Sequence, residues 1–259
     1  MLVFILKNLG YIFRKSVIHN ILTKYKFLSK YKQATKLDFN ILIFFKLFFI
    51  SEVITKKNRL YFEKKANDYE KKYTLSEDWF SFNIPIWDHV INKEFDKISK
   101  LKFLKIGIFE GRSVIHICES YKNFEITCVD PFQRYHEIDD FVKKQDMEKT
   151  FEIFKENISQ FKDRVECYKL TSVDFFNKNN SYFDIIYIDG SHYYLDVMQD
   201  FQNSIRVLNK GGIIILDDFL WGYYKKIDEN PIHGILPVLK NEKNLKIISA
   251  SWQLIVKKT

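Results

Sequence analysis

The sequence is poor in the residues that interrupt or cross-link a chain. Among 259 residues there are 8 Gly, 4 Pro and 3 Cys. So little Gly and Pro excludes collagen-like and linker-like chains. The three cysteines, Cys118, Cys128 and Cys167, are too few and too scattered for a disulfide framework or a zinc cluster, so we expect a reducing, cytoplasmic location. The hydrophobic share of 46% excludes wholesale disorder, and the length fits one large domain or one domain with an extension.

Positive charge is concentrated in the first part of the chain. The formal net charge is +8, but residues 1–75 hold 16 Lys and Arg against 5 Asp and Glu, whereas the remaining residues hold 25 against 28. A basic stretch can bind nucleic acid, an anionic membrane or an acidic substrate. The change in character near residue 75 predicts a basic, apolar helical extension over residues 1–75, followed by a second domain over residues 76–259.

The extension reads as helical because it contains a single Gly, Gly10, and no Pro. We predict helices within residues 1–31 and 37–54 and a solvated helix over residues 56–72. Residues 37–54 nearly reach the length of a membrane span, but Lys46 at the centre costs about 2.5–3.5 kcal/mol on insertion. A buried helix, or one lying on a membrane surface, is therefore favoured over a span. The first apolar run lacks a charged start and a cleavage site, so we expect no signal peptide.

From residue 76 onward, short apolar runs alternate with amphipathic stretches. Predicted strands cover residues 101–109, 124–130, 164–170, 182–189 and 213–218, and residues 245–258 read as two short strands. Predicted helices cover residues 111–121, 144–161 and 194–208, and residues 209–212 read as a loop. Strands and helices that alternate with crossovers of this length predict a doubly wound, mostly parallel α/β sheet with an antiparallel edge.

The predicted strands end in residues suited to ligand binding, and in such sheets ligands bind outside the carboxyl ends of the strands. The first strand runs into a turn that contains Gly107 and Gly111, although the spacing departs from the dinucleotide-binding loop. The second strand ends at Asp130, about 20 residues after that turn, where a carboxylate suits the hydroxyls of a ribose. The alternative is that Asp130 caps a helix or a turn before Pro131.

Three carboxylates follow the fourth and fifth predicted strands, namely those of Asp189, Asp217 and Asp218. Like charges at close range raise one another's pKa unless a cation neutralises them, and hard oxygen ligands suit Mg²⁺. The alternative is a set of helix caps and backbone hydrogen bonds without a metal. His192 lies just past the fourth strand, where a general base would be useful, although a single loop histidine is often only a structural hydrogen-bonding residue.

Several segments of the second domain resemble one known family. They are FLKIGIFEGRSVIHI, ITCVDPF, FDIIYIDGSHYYLDVMQDFQNSIRVLNKGGIIILDDF and SWQLIVKK. They are similar to the class I S-adenosylmethionine-dependent methyltransferases, and within them to the small-molecule O-methyltransferase-like group called methyltransferase family 24. The resemblance begins at Asp78 and extends to the end of the chain. It implies a Rossmann-like, seven-stranded sheet of order 3-2-1-4-5-7-6 in which strand 7 is antiparallel.

The resemblance also implies roles for individual residues. The implied cofactor-binding residues are Gly107, Glu110, Gly111 and Ser113 under the methionine part, Asp130 at the ribose, Ser172 beside the adenine and Asp189 near the methyl group. In relatives that use a divalent cation such as Mg²⁺, the ligands map onto Asp189, Asp217 and Asp218. The implied catalytic residues are Asp189 and His192, which would deprotonate the acceptor.

One position departs from the family pattern. The first loop usually reads acid-x-Gly, but Lys105 occupies the acidic position. That acid normally helps to hold the methionine ammonium, so a lysine introduces a like charge. We expect it to weaken cofactor binding unless Lys105 turns away or pairs with Glu110 or Asp130. A catalytically decayed, methyltransferase-fold binding or interaction protein is therefore one alternative.

The resulting hypothesis is a methyltransferase that moves a methyl group from S-adenosylmethionine to a small-molecule acceptor, with a hydroxyl oxygen favoured and metal assistance allowed. Trp221, Tyr223 and Tyr224 would line the acceptor pocket or form an aromatic lid packed on the core. A nucleic-acid methyltransferase is the less favoured alternative, because the chain lacks an Asn/Asp-Pro-Pro-aromatic motif, so no nucleic-acid partner is expected. For residues 1–75 we expect peripheral membrane contact or oligomerisation.

Overall fold

A computed structural model describes residues 15–35, 39–96, 98–133, 145–222 and 224–259. The helices are α1 (Lys15–Thr35), α2 (Ile41–Lys57), α3 (Arg59–Lys72), α4 (Ile84–Glu94), α5 (Arg112–Ser120), α6 (Met147–Ile158), α7 (Ser172–Lys178), α8 (Tyr194–Val207) and α9 (Pro231–Asn241). The strands are β1 (Leu101–Ile106), β2 (Phe124–Val129), β3 (Val165–Tyr168), β4 (Phe183–Ile188), β5 (Leu208–Leu216), β6 (Leu245–Ala250) and β7 (Leu254–Lys258).

The described strands form one sheet in the order β3-β2-β1-β4-β5-β7-β6, which confirms the predicted order. Strand β1 pairs in parallel with β2 and β4, and β4 pairs in parallel with β5. Strand β7 runs antiparallel to both β5 and β6, as predicted for the edge of the sheet. The strand order reverses between β1 and β4, so the loops that follow these strands open a crevice at the carboxyl edge.

Side chains of the central strands alternate between two apolar cores. In β4, Ile185 and Tyr187 point into one core, and Ile186 and Ile188 point into the other. The first core also contains side chains of α3, α4, α5 and α6. The second contains side chains of α1, α2, α7, α8 and α9. Because both faces of the sheet are covered, its central strands are nearly continuous apolar runs, as the sequence shows.

The N-terminal helices take part in this packing. Phe44 of α2 stacks on Phe219, with ring centroids 5.5 Å apart. The hydroxyl of Tyr31 lies 2.8 Å from Nδ1 of His233. Both contacts join the first part of the chain to segments that follow β5, so the described residues of the extension pack onto the second predicted domain.

A buried ion pair stabilises the same region. Lys24 of α1 is 1% exposed and pairs with Glu52 of α2. The Lys24 ammonium also donates a hydrogen bond of 3.1 Å to the hydroxyl of Ser251, between β6 and β7. The pair thus connects α1, α2 and the antiparallel edge of the sheet.

The N-terminal helix boundaries differ from those expected. The described part of α1 continues to Thr35, four residues past the predicted end, and residues 1–14 lie outside the described residues. Helix α2 ends at Lys57, because the Asn58 side chain donates a 2.8 Å hydrogen bond to the Ile54 carbonyl, and α3 follows as a separate helix. Among the described residues, no helix combines the length and apolar character needed to cross a membrane.

Strand β5 begins five residues earlier than predicted. The expected loop over residues 209–212 belongs to the strand, whose pairing with β4 shifts register between Phe183 and Ile185. Gly211 adopts φ +82° in this irregular part, a conformation that favours glycine. The strand ends at Leu216, so Asp217 and Asp218 follow it directly, at the carboxyl edge of the sheet.

Candidate active site

A cavity of about 700 Å³ lies outside the carboxyl ends of β1, β2, β4 and β5. It brings together most of the residues singled out in the sequence. Its lining includes Gly107, Glu110, Ser113, Asp130, Ser172, Asp189, His192, Asp217 and Asp218. The volume is within the range of about 300–1,000 Å³ that small-molecule and cofactor sites occupy.

The loop after β1 depends on glycine at two positions. Gly107 has φ +75°, and a Cβ there would lie 2.0 Å from the carbonyl oxygen of Asp189. Gly111 has φ +85°, and a Cβ there would lie 2.7 Å from Cδ2 of Phe154. Gly111 therefore packs against α6 beneath the loop, while Gly107 lets β1 and the loop after β4 approach each other at the cavity floor.

Asp130 holds this loop in place. Its Oδ2 accepts the backbone N–H of Ile108 at 2.6 Å and that of Phe109 at 3.4 Å. Its Oδ1 accepts the N–H of Phe132 at 2.7 Å. Burial raises the pKa of Asp130 above its usual value, and these N–H groups oppose the rise by stabilising the carboxylate. The turn role that the sequence allowed for Asp130 is therefore present, and the side chain also lines the cavity.

The other predicted cofactor residues are held by their own partners. Glu110 accepts hydrogen bonds from the backbone N–H of Ser76 at 2.6 Å and from its hydroxyl at 2.8 Å. Ser113 is buried in the first turn of α5. Ser172 begins α7 and hydrogen-bonds to Asp200 of α8, a carboxyl that the sequence did not indicate. Burial raises the pKa of Asp200 to about 7, and the Ser172 hydrogen bond opposes the rise.

Lys105 pairs with an acid other than the two expected. It is 1% exposed, and its Nζ lies 2.5 Å from Oδ2 of Asp189. The same ammonium lies 3.7 Å from the centroid of the Tyr187 ring. Strand pairing places Lys105 beside Tyr187, two residues before Asp189, so the side chains of residues 105 and 189 share a face of the sheet. Glu110 and Asp130 already have the partners described above.

Asp217 belongs to a buried chain of hydrogen bonds. The Tyr187 hydroxyl donates to Oδ2 of Asp217, and the Asp218 backbone N–H donates to Oδ1 at 2.8 Å. Gln253 donates to the Tyr187 hydroxyl at 3.1 Å, and the Trp87 indole N–H donates to Gln253 at 2.7 Å. Burial raises the pKa of Asp217 well above its usual value, and the nearby carboxylates of the site add to the rise.

His192 and Asp218 form an ion pair across the rim. Nε2 of His192 lies 2.6 Å from Oδ2 of Asp218, and both side chains are about one-third exposed. Burial lowers the pKa of His192, but the negative charge of Asp218, together with Asp189 and Asp217, overcomes this effect and raises it to about 9. The imidazole therefore carries a proton at neutral pH when the site contains only protein groups.

Ligand atoms of Asp189, His192 and Asp218 lie within 4.8 Å of one another, a spacing that could hold a metal ion. Two carboxylate oxygens and an imidazole nitrogen are suitable ligands for a divalent cation. The set differs from the predicted ligands, because it includes His192, whereas the oxygens of Asp217 accept the hydrogen bonds described above.

Aromatic side chains surround the opening of the cavity. Trp221 and Tyr224 line it as predicted, and the Trp221 ring lies 4.6 Å from the His192 ring. Tyr223 lies outside the described residues. Sequence reasoning did not assign Trp79 and Phe82 to the site, although both line the cavity and are 48% and 38% exposed. The signal that could have found them is a pair of large aromatic residues in a loop before β1.

Comparisons with known proteins agree with this arrangement. Residues 104–219 match a family model described as a methyltransferase domain, methyltransferase family 24. The matched segment runs from β1 to just past β5 and contains all the sequence-predicted site residues that line the cavity. An uncharacterized protein of Acanthamoeba polyphaga mimivirus is 26% identical over 159 residues, which make up 61% of this chain and 70% of the relative.

Solved structures share the fold. The O-methyltransferase from Bacillus cereus in complex with SAH (S-adenosylhomocysteine) superposes with a TM-score of 0.53 and 15% identity, covering 75% of this chain and 88% of that chain. MycE methyltransferase from the mycinamycin biosynthetic pathway, in complex with Mg and SAH, superposes with a TM-score of 0.53 and 15% identity, covering 76% of this chain and 54% of that chain. At these identities, the likeness establishes the fold.

Proposed function

We propose that this chain, which belongs to methyltransferase family 24 over residues 104–219, transfers a methyl group from S-adenosylmethionine to a hydroxyl oxygen of a small molecule. The observation that carries the proposal is that one cavity joins the glycine turn after β1, the acid after β2 and the polar residues after β4 and β5. The described neighbours in complex with SAH support this choice of cofactor.

The residues of the cavity fit S-adenosylmethionine. Gly107 and Ser113 would lie under its methionine part, and Asp130, which already fixes the loop, would face the ribose hydroxyls. Ser172 and its partner Asp200 would lie beside the adenine. When bound, S-adenosylmethionine supplies a methyl group that its sulfonium charge has already activated for attack.

The chain's own residues would orient the acceptor and take its proton. Trp221 and Tyr224 would hold an acceptor between the aromatic rim and the polar floor. The neutral form of His192 would accept the hydroxyl proton, because Asp218 stabilises the resulting imidazolium at 2.6 Å. The acceptor oxygen forms a bond to the methyl carbon as the carbon–sulfur bond breaks, and the proton moves to the imidazole. Asp189 would help to orient the cofactor, with Lys105 fixing its carboxylate.

The same rim would hold a divalent cation through Asp189, His192 and Asp218. A bound cation would supply positive charge to a developing oxyanion, and it would require the neutral form of His192 as a ligand. The described complex of MycE with Mg supports this assistance by analogy.

Cofactor binding is the first test. Isothermal titration of the full chain with S-adenosylhomocysteine should give a measurable dissociation constant, and Asp130→Ala should weaken binding at least about tenfold, because both the loop and the ribose contact are lost. Glu125→Ala, at an exposed position of the same strand, is the matched control and should bind like the parent. A hydroxyl-bearing compound set, incubated with methyl-labelled S-adenosylmethionine, then identifies the acceptor.

A decayed binding protein is the second candidate, and the Lys105–Asp189 pair favours it, because it occupies an acid expected to serve the cofactor. Absence of binding at millimolar S-adenosylmethionine and S-adenosylhomocysteine would overturn the enzyme proposal in favour of this candidate. Methyl transfer to oligonucleotides, with none to small molecules, would instead establish the nucleic-acid alternative.

A further inference from the structure

Helices α1 and α2 leave an apolar surface uncovered. Ile18 and Leu22 of α1 are 44% and 45% exposed, and Leu42 and Phe45 of α2 are 70% and 39% exposed. In each helix, the two residues are three or four positions apart and so share one side. The rings of Tyr25 and Phe45 meet edge to face, with centroids 5.7 Å apart, which joins the two stripes. We call these five residues the α1–α2 face.

The opposite sides of the two helices have their apolar contacts. Val17, Ile21 and Val53 are buried together between the helices, with Phe49 packed against them. Farther along, Leu28 and Phe48 are fully buried in the core of the sheet. The exposure of the α1–α2 face is therefore additional to a complete inner packing, and folding of the described core leaves this face accessible.

The charges around the face all have one sign. Lys26 and Lys46 are exposed, and each lies four residues after an exposed leucine of the face. Lys30 is exposed one turn beyond Lys26. Within α1 and α2, the acidic residue is Glu52, which is 7% exposed and paired with Lys24. No carboxylate of these two helices is thus available to offset the exposed lysines.

We propose that the α1–α2 face binds the surface of an anionic lipid membrane, with its apolar side chains in the boundary between headgroups and acyl chains. Exposed leucine, isoleucine and aromatic side chains enter that boundary, and nearby lysines are attracted to anionic headgroups. Charge complementarity favours this occupant over a second copy of the chain, because a symmetric pair of these faces would bring lysines close to lysines.

Sedimentation of the full chain with lipid vesicles tests the proposal. Vesicles of phosphatidylcholine containing phosphatidylglycerol should bind at least about tenfold more protein than vesicles of phosphatidylcholine alone, and added salt should reduce the difference. Leu42→Glu should lower the partition coefficient about tenfold, because it removes an apolar contact and adds a repelled charge. Leu60→Glu, on α3 and outside the face, is the matched control at a residue that is 83% exposed.

Each alternative outcome is distinct. Failure of the full chain to sediment with anionic vesicles, or equal binding by Leu42→Glu and the parent, would overturn the proposal. A dimer in light scattering that Leu42→Glu dissociates, without vesicle binding, would assign the face to a second copy instead. Unfolding temperatures of both variants verify folding, since both replaced residues are exposed. Vesicle binding requires neither cofactor nor methyl transfer, so the result is independent of the proposed function.

Discussion

Lys105 Nζ lies 2.5 Å from Asp189 Oδ2, so a buried cation of β1 neutralises the first acid after β4. This pair affects any cation that would bind nearby, because Asp189 is one of the three residues whose ligand atoms cluster at the rim. A divalent ion at that cluster would have to share the Asp189 carboxylate with the ammonium and would be repelled by it. Lys105 therefore supplies, within the fold, part of the positive charge that a metal would bring.

Replacement of Lys105 by Met should raise the affinity for Mn²⁺ at least about tenfold, because Asp189 becomes free and a nearby positive charge is removed. Titration of Mn²⁺, followed by electron paramagnetic resonance, measures this without an acceptor substrate. Lys102→Met changes an exposed lysine of the same strand and should leave the affinity unchanged. Equal Mn²⁺ affinity in folded Lys105→Met and parent chains would show that Lys105 does not control the cluster.

The glycine at the start of the cofactor loop allows a direct test of close packing. Gly107→Ala places a Cβ 2.0 Å from the Asp189 carbonyl oxygen at φ +75°, so it should lower the free energy of unfolding by more than about 3 kcal/mol. Gly211→Ala has a similar φ of +82°, but nothing lies within 4 Å of its Cβ, and it should cost only about 1–2 kcal/mol. Urea unfolding of both variants measures the difference, and equal losses would contradict the steric explanation.

The sheet order and the gathering of polar strand ends were predictable from the sequence, because apolar strands alternate with helices and parallel strands end at one edge. The partner of Lys105 was not predictable in the same way. Glu110 and Asp130 are nearer in sequence, but Ser76 and backbone N–H groups satisfy them. Only the pairing register between β1 and β4 brings Lys105 and Asp189 onto one face.

The predicted division at residue 75 reflects composition more than packing. Charge balance changes there, but core formation depends on which apolar side chains meet, and Phe44 reaches Phe219 far along the chain. The sequence also could not separate the buried from the exposed side of α2, because apolar residues occupy almost every position of residues 41–50. Helical periodicity carries little information in such a run.

Two adjacent phenylalanines therefore test whether the extension belongs to the core. Phe44 is 2% exposed, and Phe44→Ala should lower the free energy of unfolding by about 3–5 kcal/mol through loss of buried area and a remaining cavity. Phe45 is 39% exposed, and Phe45→Ala should cost less than about 1.5 kcal/mol. Chemical unfolding followed by Trp fluorescence gives both values. A small loss for Phe44→Ala would restore the view that the N-terminal helices are a separate unit.

Asp200 should make stability depend on pH. Burial raises its pKa to about 7 in the folded chain, while an unfolded Asp titrates near about 3.9. Between these values, the folded chain holds a proton that the unfolded chain has lost, so this contribution to stability is complete below about pH 4 and decreases as pH rises toward 7, by up to about 1.4 kcal/mol per pH unit.

Asp200→Asn removes that proton exchange, so the stability of the variant relative to the parent should increase steadily from pH 4 to pH 7. Urea unfolding at a series of pH values measures the difference, with Asp163→Asn as a control at an exposed aspartate. A difference that stays constant with pH would mean that folded Asp200 is already ionised. In that case Ser172 would face a carboxylate, and the predicted adenine side of the cavity would carry a negative charge that the protonated carboxyl lacks.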